Sequence, residues 1–153
     1  MIRAFSVIIG VALLCATANA ATCTVSSTGV SFGNYNALSS IMGDTSGRVT
    51  IICSGTQSER VSYSLPLTRT AAQAKGHTLR GAGSALRYGL FLNSARTERW
   101  GDGTGGTSEI KDSMTLANGH GSQDYVIYGR MPSRQSEASE GTYLDTVVVT
   151  LVW

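Results

Sequence analysis

The sequence predicts an all-β fold: a sandwich of about seven strands of the immunoglobulin-like kind. Three observations point there. No long stretch carries an uninterrupted apolar stripe of helical period. Short apolar runs alternate instead with turns rich in Gly, Ser, Thr and Asn, the pattern of sandwiches and barrels; the chain holds 18 glycines and only two prolines. The last stretch, residues 141–153, is the longest strand-forming run outside the leader. β-Branched and aromatic residues dominate it, and it has no Pro and no Gly after Gly141.

Residues 1–20 read as a cleaved secretory signal peptide. Arg3 supplies the positive start, residues 4–16 an apolar centre, and Ala18-Asn19-Ala20 the small residues of a cleavage site before Ala21. The segment is too short for a membrane-spanning helix. A lipoprotein signal acting on Cys15 is the competing reading, with Leu14 standing where a small residue is expected. Residues 21–153 then form one domain of ordinary size. The whole chain has 12 Lys and Arg against 10 Asp and Glu, and loss of Arg3 narrows that difference to one. Such a balance offers no electrostatic footprint for nucleic acid or an anionic membrane. Outside the leader Cys23 and Cys53 are the two cysteines. An even count in an oxidising compartment reads as one disulfide, and closing a loop of about 30 residues contributes roughly 3–4 kcal/mol.

The strands follow in order. Residues 22–25 and 30–32 come first, then a turn at 33–36 and a polar connection to Gly47. Residues 48–53 alternate with Val49, Ile51 and Cys53 on one face. Residues 61–67 alternate with Val61, Tyr63, Leu65 and Leu67 inward, and Pro66 marks that strand's end as an edge or exit. Residues 68–84 are polar and Gly-rich, with room at 71–75 for one helical turn. Residues 86–92 put Leu86, Tyr88, Leu90 and Leu92 on one face. A long loop at 94–112, a weak strand at 113–116, a strong strand at 125–131 and a polar loop at 132–140 lead to the terminal strand. There Tyr143, Val147, Val149, Leu151 and Trp153 share the core face, with Asp145 its only polar member. Thr142, Leu144, Thr146, Val148, Thr150 and Val152 form the other face. An apolar strand with no successor is an aggregation hazard unless an earlier strand or another polypeptide covers its edge.

A catalytic site is hard to assemble, and no metal or cofactor is called for. His77 and His120 sit in Gly-flanked loops and read as solvated. No Gly-x-Ser-x-Gly elbow stands between a strand and a helix. Asp44, Glu59, Asp102 and Asp124 are scattered, with no pairing across a cleft. Residues 101–106 are Gly-rich but lack the Lys-[Ser/Thr] end of a phosphate loop. Trp100 has two readings: a sandwich-end Trp whose N–H bonds a loop carbonyl, or an exposed ring that stacks on a sugar. Tyr143, just after Gly141, is placed to fix a corner by bonding the preceding loop.

Cys23-Thr24-Val25, then Val30-Ser31-Phe32-Gly33-Asn34-Tyr35, then a strand ending in Cys53, resemble the start of a spore coat protein U domain. Leu86-Arg87-Tyr88-Gly89-Leu90-Phe91, Trp100-Gly101-Asp102-Gly103, Tyr128-Gly129-Arg130, Gln135 and Gly141-Thr142-Tyr143-Leu144-Asp145-Thr146-Val147 continue the pattern in order. The resemblance implies a secreted bacterial structural or adhesive subunit, not an enzyme, of the kind found in archaic chaperone–usher pili and coats. Its fold would be an immunoglobulin-like sandwich lacking the final strand. A periplasmic chaperone, an outer-membrane usher and neighbouring subunits would be its partners, the cell surface its destination, and cell adhesion and biofilm its setting. The missing strand would come from the chaperone first and from a neighbour's N-terminal extension later. In a chain cut after Ala20 only Ala21 and Thr22 precede Cys23, which is too few to donate a strand in return. That points to a tip or terminal position. The alternative is a self-contained secreted carbohydrate-binding module that uses Trp100 and the loop at 94–112.

Overall fold

A computed structural model describes residues 20–68, 76–81 and 83–153. The expected signal peptide up to residue 19 and the expected helical turn at 71–75 lie outside the described residues. Nine strands form, with no helix among the described residues: β1 (Thr22–Thr28), β2 (Gly43–Ser54), β3 (Arg60–Leu65), β4 (Leu67–Thr68), β5 (His77–Gly81), β6 (Ser84–Phe91), β7 (Ile110–Thr115), β8 (His120–Met131) and β9 (Val148–Val149). One antiparallel sheet has the order β1-β2-β8-β6-β5. Opposite it, β3 pairs with β7 and β4 with β9.

The spine is the β2–β8 ladder, which runs without a slip from Gly43 opposite Met131 to Ser54 opposite His120. Strand alternation makes one face of it apolar. Val49, Ile51 and Cys53 of β2 and Ile127 and Met131 of β8 are buried, as are Leu86, Tyr88 and Leu90 of β6. From the facing layer come Val61, Tyr63, Leu65 and Leu67, all four as the sequence pattern predicts. Each such aliphatic side chain contributes about 1.5–3 kcal/mol when fully withdrawn from water. At the end where β7 and β8 diverge, a polar tie joins the two layers. The Tyr125 hydroxyl donates to Asp112 (2.7 Å) and lies 2.8 Å from the Tyr63 hydroxyl.

Cys23 stands directly across from Cys53 in the β1–β2 register, and the two form the disulfide. On the outer face Arg130 grips Asp44 with two hydrogen bonds of 2.7 Å, and Arg48 and Thr50 each bond Asp124 at 2.6 Å. The Arg130 hydrogen bond holds the Asp44 carboxyl below its ordinary range, against the opposing effect of burial. The Thr50 and Arg48 bonds lower Asp124, and the Tyr125 bond lowers Asp112.

Several expectations are corrected. Residues 30–32 form no strand. They leave β1 and lay Val30 and Phe32 over Gly129, where a Cβ would stand 2.6 Å from Val30 Cγ1. The Gly-rich stretch around residue 78 contains β5, a hairpin partner of β6 (Leu79 opposite Leu86), because tertiary pairing overrides a segment with one strong apolar residue. His77, expected in solvent, is buried on that strand with its ring 5.2 Å from Tyr88. The expected terminal strand at 141–153 shrinks to Val148–Val149 plus single bridges at Leu144 and Val152. Pro66, between β3 and β4, cannot donate to the ladder, so its carbonyl accepts from Thr150 without a returning bond (3.2 Å).

Two outcomes are expected from these ties. Replacing both cysteines, Cys23→Ser with Cys53→Ser, lowers stability in urea denaturation by roughly 3–4 kcal/mol; an unchanged midpoint would show that the closed loop contributes nothing. The folded-state pKa values of Asp44, Asp112 and Asp124 lie below their unfolded values, so their contribution is present at neutral pH. It is lost as pH falls through the lowered folded values. Urea midpoints measured from neutral to acid pH therefore decline, and Arg130→Gln makes the decline shallower; a profile as steep as that of the parent chain contradicts the assignment to Asp44.

Candidate functional site

The C-terminal segment crosses from one sheet to the other. Near its start, Leu144 and Arg80 of β5 exchange two backbone hydrogen bonds (2.8 and 3.0 Å). Near its end, Val152 and Ser64 of β3 do the same (3.0 and 2.8 Å). Gly81 makes the first crossing possible, since a Cβ there would collide with the Thr142 carbonyl. Tyr143 anchors the bend: its hydroxyl donates to the Ser139 carbonyl (2.6 Å) and also meets the Ser84 hydroxyl. This is the corner role expected for it.

Side chains along the segment alternate as the sequence pattern predicts. Tyr143, Asp145, Val147, Val149 and Leu151 point inward, while Leu144, Val148 and Val152 are exposed. The inward set is only half-buried, although Val147, Val149 and Leu151 rest against the fully buried core. Trp153, expected inward, is 55% exposed, and its indole N–H donates to the Ala21 carbonyl (2.8 Å). The chain has run past the core there, so the last ring lies along the start of β1.

What half-covers this set is a trough. One wall is the segment from the end of β1 through Ala37; the other is the segment from Ala138 to Val149. Two adjoining clefts of about 330 and 610 Å³ make it up, and they share Val30, Phe32, Leu79 and Asp145. Its floor holds Leu67, Leu90, Trp100 and Ile127 at one end and Leu86 and Met131 at the other. Both walls end in strand edges. β1 is the edge strand of its sheet, with β2 on one side only. The even residues of the C-terminal segment bond Ser64 and Pro66, so antiparallel alternation turns the N–H and C=O of Val149 and Leu151 the other way, toward the trough. Among the described residues no strand lies between the two edges.

Asp145 is the polar point of the floor. Its Oδ2 accepts from the Tyr88 hydroxyl (2.8 Å) and its Oδ1 from the Thr146 N–H (2.9 Å). Burial first, then Asp145, pushes the Tyr88 hydroxyl far above its ordinary value, so it stays a donor at every biological pH.

Trp100 does not face solvent. It is 4% exposed, and its N–H donates to the Leu65 carbonyl (3.0 Å) while its backbone N–H bonds Leu90 (2.9 Å). It fastens one sheet to the other, which matches the core-capping reading and leaves no open ring face for a sugar at 94–112. The two histidines do not converge: His77 is buried and His120 lies exposed at the start of β8. Among the described residues no group of three His, Cys, Asp or Glu is placed to hold a metal ion, and no helix is long and apolar enough to cross a membrane.

The wall from Ala138 to Val149 is legible in the sequence pattern, and the wall from the end of β1 through Ala37 is not. Gly47 and Gly129, glycines inside strands, were the available signal, since such glycines mark the close approach of another backbone.

Comparison with curated proteins finds no match. Among solved structures, the fold is similar to a chain in the CsuC–CsuE chaperone–tip adhesion subunit pre-assembly complex from the archaic chaperone–usher Csu pili of Acinetobacter baumannii. The TM-score is 0.58 at 20% identity, over 88% of this chain. The likeness at that identity concerns the fold, and this chain spans 40% of the length of the chain it matches. The Spore Coat Protein U domain model matches residues 10–150, nearly the whole sequence, and with it the ordered motifs from Cys23 to Val147. On that match the chain belongs to the Spore Coat Protein U domain family.

Proposed function

We propose that this protein is a structural or adhesive subunit of a bacterial surface appendage, and that the trough accepts an extended segment of another polypeptide. One observation carries the reading. Two strand edges face each other across a buried apolar floor, and Val30, Phe32, Leu79, Val147 and Val149 around it are only half-buried, so a single added strand would pair with both edges and cover these side chains. The family and the similarity to a chain from a chaperone–subunit complex support the same route. A periplasmic chaperone fills the trough first. After passage through an outer-membrane usher, a neighbouring subunit fills it at the cell surface. The leader at residues 1–20 directs export and is removed, leaving residues 21–153 as the working domain.

The start of the domain supports a role as acceptor at a fibre end. Ala21 is buried and bonded to Trp153, and Thr22 opens β1 opposite Ser54. Both residues are built into the sandwich and have no reach toward a neighbour.

The test uses the exported chain and synthetic peptides of about a dozen residues with alternating apolar side chains. A fitting peptide at a hundredfold excess over its Kd stabilises the chain by about 2.7 kcal/mol, read as a rise in Tm. No shift with any alternating peptide, from a chain that is already stable and monomeric, rejects the strand-acceptor reading. In cells, Val147→Asp or Val149→Asp abolishes surface delivery, because a charge on this inward face is buried unpaired once the trough is filled. Normal surface levels of either variant would show that the floor is not where strand addition occurs.

A further inference from the structure

The lining of the trough is not uniformly apolar: among the described residues it carries Arg48 and Glu140, both exposed, and the half-buried Asp145, which sits where the two clefts join. Asp145 belongs to the lining of both, with Val30, Phe32 and Leu79 around the same junction. Its position is fixed from two sides. The Tyr88 hydroxyl, buried on β6, holds Oδ2 from below, and the Thr146 N–H holds Oδ1. Phe32 packs edge-on against the Tyr88 ring at 5.6 Å and braces the donor. Two neutral donors leave the carboxylate with acceptor capacity to spare. Among the described residues no Lys or Arg forms an ion pair with Asp145. The arginine in the lining, Arg48, is taken up by Asp124 on the outer face at 2.6 Å.

Resting on the strand-acceptor reading above, we propose that Asp145 sets the register and the selectivity of the trough: the strand it takes presents one basic side chain, Lys or Arg, among alternating apolar ones. The physical reason is desolvation. While the trough is empty, water reaches the half-buried carboxylate. A covering strand removes that water, and a buried carboxylate without a cation or further donors is strongly disfavoured. An apolar side chain set over Asp145 therefore works against every favourable contact made by its neighbours. A basic side chain at that one position turns the penalty into a charge-assisted hydrogen bond. A slip of one residue turns the basic side chain to the outer face and brings outward residues onto the floor, and a slip of two sets the cation over Val147 or Tyr143. Only one alignment satisfies both the apolar pockets and the carboxylate, so a single residue discriminates between partners and between registers.

The test is a lysine scan. A parent peptide of about twelve residues alternating Val and Thr is compared with variants carrying Lys at each inward position in turn, with binding to the exported chain measured by calorimetry. One position binds about tenfold tighter than the parent, and Glu at that same position binds at least about tenfold weaker. In Asp145→Asn, which keeps an acceptor for Tyr88, the lysine preference falls to less than about threefold while the parent peptide still binds. If Asp145→Asn does not fold, the opposed Lys and Glu responses of the unaltered chain decide the matter. A flat scan, or one in which every Lys weakens binding, overturns the proposal and leaves strand acceptance standing. Failure of every peptide, the parent included, overturns both.

Discussion

Everything here depends on how an apolar sheet face is covered. A two-layer sandwich is stable when each inner face finds the other, and strand edges are safe when each is paired. The β2–β8 ladder, the disulfide beside it and Trp100 between the layers meet that condition over half of the molecule. Across the other half the condition is met on one side only. The C-terminal segment finds β4 and β3 along one edge and presents Val149 and Leu151 along the other. Burial falls accordingly, from completely buried Ile51 on the spine and Leu65 facing it to half-buried Val30, Val147 and Val149 along the trough. The gradient is the observation on which the strand-acceptor proposal rests.

Glycines shape the trough as much as the apolar side chains do. Gly129 lets Val30 and Phe32 lie directly on the β8 backbone, which draws one wall inward. Gly81 lets the other wall cross β5 at Thr142. A methyl group at either place meets atoms it cannot overlap, so the width of the trough is fixed by two missing side chains. Tyr143 and Tyr88 then fix what the glycines allow, one by bonding the preceding loop and the other by holding Asp145.

Much of this was legible in the sequence because period-2 alternation is a local signal. The inward sets of β2 and β3 follow it residue by residue, and so do the C-terminal side chains from Tyr143 to Leu151; in β6 Leu86, Tyr88 and Leu90 follow it, while Phe91 on the other face is buried as well and Leu92 lies half-buried past the strand end. Pro66 announced a break, and the two cysteines announced a bridge. What escaped is what non-local contacts decide. β5 exists because β6 is beside it, and His77 is buried for the same reason, although the local composition reads as loop. Asn118-Gly119, both at positive φ, form a two-residue turn of the hairpin type, yet the strands it joins go to different sheets. The extent of the terminal strand was overestimated because propensity describes a residue's fitness for a ladder and says nothing of whether a partner is present to form one. Residues 141–153 have strand chemistry throughout and strand hydrogen bonding only where β5, β4 and β3 reach them.

That mismatch between chemistry and pairing is itself informative. A segment whose side chains alternate from Tyr143 to Val152, yet which pairs on one edge alone, is suited to a ladder with two partners. The local features agree with one another: alternation, the corner tyrosine, the glycines at the crossing and the inward-facing backbone groups of Val149 and Leu151. When local features agree and the global packing is incomplete, the simplest resolution is that the packing unit is larger than the chain. Asp145 fits the same logic. On the floor of a self-sufficient core a lone carboxylate would be an error; under the strand-acceptor proposal, it is the point at which the fold can specify which molecule completes the core.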